Sequence, residues 1–229
     1  MPAFDDIRAV AIDVLGTLVD EPAAIASTLR AQLPGSSGDD IDRALHEWDA
    51  YLARAQRDIA AGRRGFVDAD ALEAETLAHV LGDARPIDDA PAALLSCVGA
   101  ALDPWPDAVE GVRRLAELLP VHGLSNATTG TLEALASRAG FAWSGALSAS
   151  AAAAYKPAPE VYRLALDATG LDAEQVLMVA AHAWDLRGAA AIGMRTAYVA
   201  RPVGDPPSSD DAFDGEFGSL AELADALRG

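Results

Sequence analysis

The stretch VAIDVLGTLVD, residues 10–20, decides the fold. Its first half is a run of Val, Ala and Ile that reads as a buried strand, and the run stops at a carboxylate, Asp13. Three residues further on comes Gly16-Thr17, a pair suited to a tight turn. A carboxylate closing an apolar strand is costly unless it is paired or hydrogen-bonded, so its presence marks a candidate site.

Working outward, five apolar runs read as strands: IRAVAIDV (7–14), PVHGLS (120–125), SGALSA (144–149), QVLMVA (175–180) and RTAYVA (195–200). Helical patterns separate the later ones: AVEGVRRLAELL, TTGTLEALASRAG, PEVYRLALDATG and DLRGAAAIG. Strands alternating with helices predict an α/β fold with a Rossmann-like parallel sheet core flanked by helices. The interval between the first and second strands is far longer than a crossover needs. It holds the helical patterns DDIDRALHEWDAYLARAQRDIAAG and DADALEAETLAHVLG, preceded by the breaker LPGSSG. We read residues 19–95 as an inserted helical cap and residues 1–18 and 96–229 as the core. Pro-rich DARPIDDAP (83–91) and DPWP (103–106) mark the return. The end of the chain reads as a loop, a short strand and a final helix.

Composition bounds the partners. Of 229 residues, 17 are basic and 35 acidic, for a net charge of −18. Nucleic acid and anionic membranes both require basic surface, so neither is expected as a partner. The single cysteine, Cys97 in LLSCVG, excludes an internal disulfide and reads as a core thiol. No run is long enough to span a bilayer, and MPAFDD has no apolar leader character, so a soluble cytoplasmic protein is expected.

Parallel sheets bind ligands at the carboxyl ends of their strands. The first strand ends in Asp13, the second in Ser125-Asn126, and the fourth runs into His182 and Asp185; Lys156 follows the third in AYKPAPEVY. Four segments thus bring a carboxylate, a hydroxyl with an amide, an ammonium and a second carboxylate to one edge. Taken singly, each has a structural reading. Asp13 suits a turn, Ser125-Asn126 a cap for the helix near Thr128, Asp185 a helix cap, and Tyr162 the core. Lys156-Pro157 and Arg63-Arg64 suit solvated loops, and Trp48 and Trp184 suit core or pocket wall. His46, His79 and His122 lack metal-ligand spacing. Taken together and in order, Asp13, Ser125, Lys156 and Asp185 outweigh those readings.

In this order the motifs resemble the haloacid dehalogenase superfamily, and within it the L-2-haloacid dehalogenase branch. The likeness spans nearly the whole chain, with the helical insertion as the family's cap. DVLGTL matches the first motif, LSNAT the second, YKPAPEVY the third and AAHAWDLRGA the fourth, of which AWD belongs to the dehalogenase branch. The resemblance implies a hydrolase in which Asp13 is the nucleophile, Thr17 holds its carboxylate, Lys156 keeps it ionised, and Asp185 orients or deprotonates the water. Ser125 would hold the substrate's carboxylate, with Leu15, Asn126, Tyr162, His182 and Trp184 lining the substrate site. The superfamily's phosphatases place an acid two residues after the nucleophile and an Asp pair in the fourth motif for Mg²⁺; here those positions are Leu15 and Ala181. The implied chemistry therefore uses no metal and no cofactor. The partner implied is a small carboxylic acid, and relatives in the branch are often dimers, which makes a homodimer the expected assembly.

Two departures stand out. Where the branch carries a halide-abstracting arginine on the first long cap helix, EWDAYLARAQRDIAAGRRGF places Asp49, with Arg54 and Arg57 as neighbouring substitutes. Where it carries Ser and Asn in the fourth motif, this chain has Ala180 and His182. A carboxylate at position 49 would favour a cationic leaving group, such as the amine of a strained ring like azetidine-2-carboxylate. Opening of a C–N bond is therefore the alternative to halide release. A phosphatase and a catalytically idle binding protein complete the expectations, the last opposed by the pairing of Asp13 with Lys156.

Overall fold

The computed structural model describes residues 4–82 and 102–229. The chain divides into two compact units, Met1–Asp20 with Pro104–Gly229, and Glu21–Asp103. The expected cap boundary at 95/96, the Pro-rich stretch 83–91 and Cys97 lie outside the described residues.

In the first unit, β1 (Ala9–Asp13), β2 (Val121–Ser125), β3 (Gly145–Ser148), β4 (Val176–Ala180), β5 (Arg195–Val199) and β6 (Gly215–Phe217) form one sheet. Its order is β3-β2-β1-β4-β5-β6, and every pair is parallel. This is the doubly wound arrangement, and its switch point lies between β1 and β4, where the connections diverge to opposite sides. The central strands are apolar on both faces because helices cover both, and β1 and β4 are buried at every position. Val176, Leu177, Met178 and Val179 are each wholly buried, worth about 2 kcal/mol apiece in area removed from water.

The helices start and stop where their chemistry says. In the second unit lie α1 (Glu21–Gln32), α2 (Gly38–Ala60) and α3 (Ala69–Leu81). Ser37 and Asp40 close a capping box on α2, and Asp68 caps α3 by accepting the Ala71 N–H. α2 buries Ile41, Ala44, Trp48, Ala55 and Ile59, and α3 buries Leu72 and Leu77. The first unit adds α4 (Ala108–Ala116), α5 (Thr129–Ala139), α6 (Pro159–Thr169), α7 (Ala183–Ala190) and α8 (Leu220–Arg228). α6 starts with Pro159 in its first turn and ends at Gly170, φ +67°, a left-handed position that favours glycine. Val161, Tyr162 and Ala165 of α6 and Leu186 and Ala189 of α7 join Ala11, Met178 and Ala180 of the sheet in one core. Among the described residues, no helix is long and apolar enough to cross a membrane.

Candidate active site

β1 delivers Asp13 to the carboxyl edge beside the switch point, with only 6% of its surface exposed. The chain then turns through Gly16 at φ +78°. That turn folds Thr17 back so that its Oγ1 donates to Asp13 Oδ2 at 2.6 Å. The same Oγ1 accepts the Ala181 N–H at 2.9 Å, which ties the turn to the end of β4. Trp105 Nε1 donates to the Gly16 carbonyl at 3.0 Å, and Arg201 Nε donates to the Thr17 carbonyl at 2.8 Å. Arg201 is itself held by Asp107, Nη1 to Oδ1 at 2.9 Å. The nucleophile turn is therefore fixed from three sides.

Lys156 reaches the same edge from the loop before α6. Its backbone N–H donates to Asn126 Oδ1 at 2.9 Å, so Asn126 positions the lysine. Its Nζ donates to Asp13 Oδ1 at 2.9 Å and to Asp185 Oδ2 at 2.7 Å. The other oxygen of Asp185 accepts from Tyr162 OH at 2.7 Å. Tyr162 projects from α6 and Asp185 from the first turn of α7. The two helices approach closely because residue 188 is glycine: a Cβ there would lie 2.4 Å from Tyr162 OH and 2.8 Å from Pro157.

One buried cation thus serves two buried carboxylates, which explains both directions of pKa shift. Burial alone would lower Lys156, but Asp13 and Asp185 outweigh it and raise the ammonium above its ordinary value. Asp185 is raised, first by desolvation, then by the Asp13 charge, against the opposing pull of Lys156. The cation is over-supplied with anions and holds its proton, while the more deeply buried acid carries the excess. Burial, with the Asp185 and Asp13 charges, pushes the Tyr162 phenol far up and keeps it a donor.

The remaining sequence-derived residues separate into groups. Ser125 is wholly buried at the end of β2; its Oγ accepts the Ala127 N–H at 3.2 Å. The cap of α5 is Thr128, which accepts the Thr131 N–H, so Ser125 and Asn126 do not cap that helix. Leu15 is half-buried on the nucleophile turn. His182 is the N-cap residue of α7 but makes no side-chain cap bond, and Asp185 is not the cap either. Trp184, in the first turn of α7, is 37% exposed, so it is not a core residue. Its ring lies 5.8 Å from that of His182. Asp49, Arg54 and Arg57 belong to α2 in the other unit, and all three are exposed. The protein around Asp49 nevertheless raises its carboxyl by desolvation, opposed by His46.

Trp105, Arg201 and Asp205 escape the sequence reading. Asp205 accepts the Ala183 N–H through its carbonyl at 2.8 Å and the Trp184 N–H through Oδ2 at 3.1 Å, clamping the turn after β4. Trp105 has a signal in its flanking prolines; nothing near Arg201 or Asp205 in the chain announces their partners.

Residues 7–193 match the family model described as haloacid dehalogenase-like hydrolase. The chain is 29% identical to (S)-2-haloacid dehalogenase 4A of Burkholderia cepacia, covering 96% of this chain and 94% of that one. It is 32% identical to an (S)-2-haloacid dehalogenase of Xanthobacter autotrophicus over 85% of this chain and 76% of the relative. A solved L-2-haloacid dehalogenase from Xanthobacter autotrophicus, with chloropropionic acid covalently bound, superposes with a TM-score of 0.83 at 25% identity, covering 97% and 99% of the two chains. With the nucleophile turn, the shared lysine and the doubly wound sheet in place, the chain belongs to the haloacid dehalogenase-like hydrolase family.

Proposed function

We propose that the protein is an (S)-2-haloacid dehalogenase, a hydrolase that replaces the halogen of a 2-haloalkanoic acid by hydroxyl through an ester on Asp13. The single observation behind this reading is the setting of Asp13. Each of its oxygens is fixed by one donor, Lys156 Nζ or Thr17 Oγ1, which leaves lone pairs on both for attack. One oxygen displaces halide from C2, forming the C–O bond as the carbon–halogen bond breaks, and the halide departs with the electron pair. Water then attacks the ester carbon, the acyl C–O bond breaks, and the 2-hydroxy acid leaves. Ser125 is the proposed hold on the substrate's carboxylate, because its hydroxyl proton has no acceptor among the described residues.

Leu15 and Ala181 stand where a phosphatase would need a proton donor and a magnesium ligand, so the donor set favours carbon–halogen over phosphoryl chemistry. The reading includes a homodimer and a cytoplasmic setting, supported by the resemblance to the branch.

The experiment is halide release from each enantiomer of 2-chloropropionate, with and without chelator, beside Asp13→Asn. Chelator-insensitive release from the S enantiomer, absent in Asp13→Asn, is the expected result. No release from either enantiomer, with ring opening of azetidine-2-carboxylate lost in Asp49→Ala, would replace this reading by C–N bond hydrolysis.

A further inference from the structure

The second step needs a base for water, and the carboxylate that the motif order suggests for it is poorly placed to act. Asp185 has no exposed surface, and each of its oxygens already accepts a strong bond, from Lys156 Nζ and from Tyr162 OH. Its situation worsens when it is needed. Esterification of Asp13 removes the second anion that shares Lys156, leaving ammonium and Asp185 as a one-to-one buried pair. Protonating Asp185 at that point would strand the lysine charge without a counter-ion, a strongly unfavourable state for a buried cation.

His182 has none of these commitments. It follows β4 directly, and its neighbour's N–H, that of Ala181, donates to the Thr17 hydroxyl that donates to Asp13. The residue before His182 is thus two hydrogen bonds from Asp13 Oδ2. Its ring lies over the nucleophile turn: a Cβ at Gly16 would come within 2.5 Å of Nε2. The ring is half-buried and makes no hydrogen bond to any described residue, its one neighbouring ring being Trp184. Asp205, which bonds the flanking Trp184 and Ala183 amides, holds the turn and leaves the imidazole free.

We infer that His182 is the base that deprotonates the hydrolytic water, an inference that rests on the ester reading above. The water oxygen bonds to Cγ of the Asp13 ester as one of its protons passes to an imidazole nitrogen. The carbonyl electron pair moves onto oxygen and then returns, breaking the bond to the product. The departing 2-hydroxy acid takes its hydroxyl proton from the imidazolium. The carboxyl regenerated on Asp13 ionises, and one proton leaves for solvent. A neutral imidazole can carry both transfers without dismantling the Lys156 pairs.

His182→Gln and His182→Ala, assayed with (S)-2-chloropropionate, test this. Each variant is expected to release a burst of about one halide per Asp13 and then to turn over about 100-fold more slowly than the parent. Intact mass should show the ester accumulating on Asp13, and added imidazole should restore turnover in His182→Ala. Turnover within about threefold of the parent, without ester, would overturn the inference, as would loss of the burst itself, which would place His182 in the displacement step. Absence of both halide and adduct in the parent protein would remove the ester reading first, and this inference with it.

Discussion

Two carboxylates in this protein have the same kinds of partner and opposite behaviour. Asp185 accepts from Lys156 and Tyr162; Glu75, on α3, accepts from Arg64 and Tyr51. The arginine pair is open to solvent, with 29% of Arg64 and 39% of Glu75 exposed, and the two donors lower the Glu75 pKa. The lysine pair is sealed, and there desolvation wins and Asp185 is raised. A cation and a phenol as donors therefore give a stable anion in one place and a strained one in the other. What differs is the water removed and the second anion, Asp13, that competes for the same cation. A surface network of this kind is a modest stabiliser. The buried version holds a nucleophile against a cation in a dry setting, where its attack is strengthened by loss of hydration.

The comparison breaks first at its cations. Lys156→Met should lower halide release by about 1,000-fold or more, because it removes the ammonium at the reacting carboxylate. It should also cost about 3 kcal/mol of stability by leaving two buried acids unpaired. Arg64→Met should leave turnover unaffected and cost at most about 1 kcal/mol. Steady-state halide release and urea unfolding of both variants decide the matter; equal stability losses would mean that burial does not distinguish the two sites. The tyrosines give a smaller contrast. Tyr162→Phe withdraws a donor from a buried anion and should reduce turnover by about 10- to 100-fold, the equivalent of 1.5–3 kcal/mol for a bond to a charged group. Tyr51→Phe should change stability by less than about 1 kcal/mol, measured the same way. A Tyr162→Phe enzyme at full rate would make that bond scaffolding only.

The buried site was more legible in the sequence than the cap, for a physical reason. A parallel sheet gathers strand ends at one edge, so Asp13, Ser125, Lys156 and Asp185 could be assigned to one place from their positions after apolar runs. The five predicted strands all occur, and the short strand expected before the final helix is β6, three half-exposed or exposed residues. What the sequence could not show were bonds made by packing. Tyr162 meets Asp185 because Gly188 lets two helices close up, and Arg201 reaches the Thr17 carbonyl across 184 positions of chain. In the cap, periodicity announces α2 and α3, while the Ala-rich sequence of α1 gives only a weak face. Nothing in a helical pattern assigns a role to an exposed residue such as Asp49, since many alignments of a helix preserve its apolar stripe.

The smallest expected effect sharpens the same lesson about water removal, with no cation involved. Glu73 lies half-buried on α3, and desolvation, with the Asp70 charge adding to it, pushes its carboxyl from an ordinary 4.5 up to about 7. A folded-state value above the unfolded one means that folding takes up a proton between those two pH values. Stability therefore falls as pH rises from about 4.5 to about 7, and above that the full penalty of an ionised Glu73 is present. Glu73→Gln keeps the shape and deletes the charge. It should stabilise the protein by about 2 kcal/mol at pH 8, and by less than half of that at pH 5, where the native carboxyl holds its proton. Urea unfolding at the two pH values measures the difference. A gain that is the same at both would mean that Glu73 is ionised throughout, and that burial without a partner is not enough in this protein to hold a proton on an acid near neutral pH.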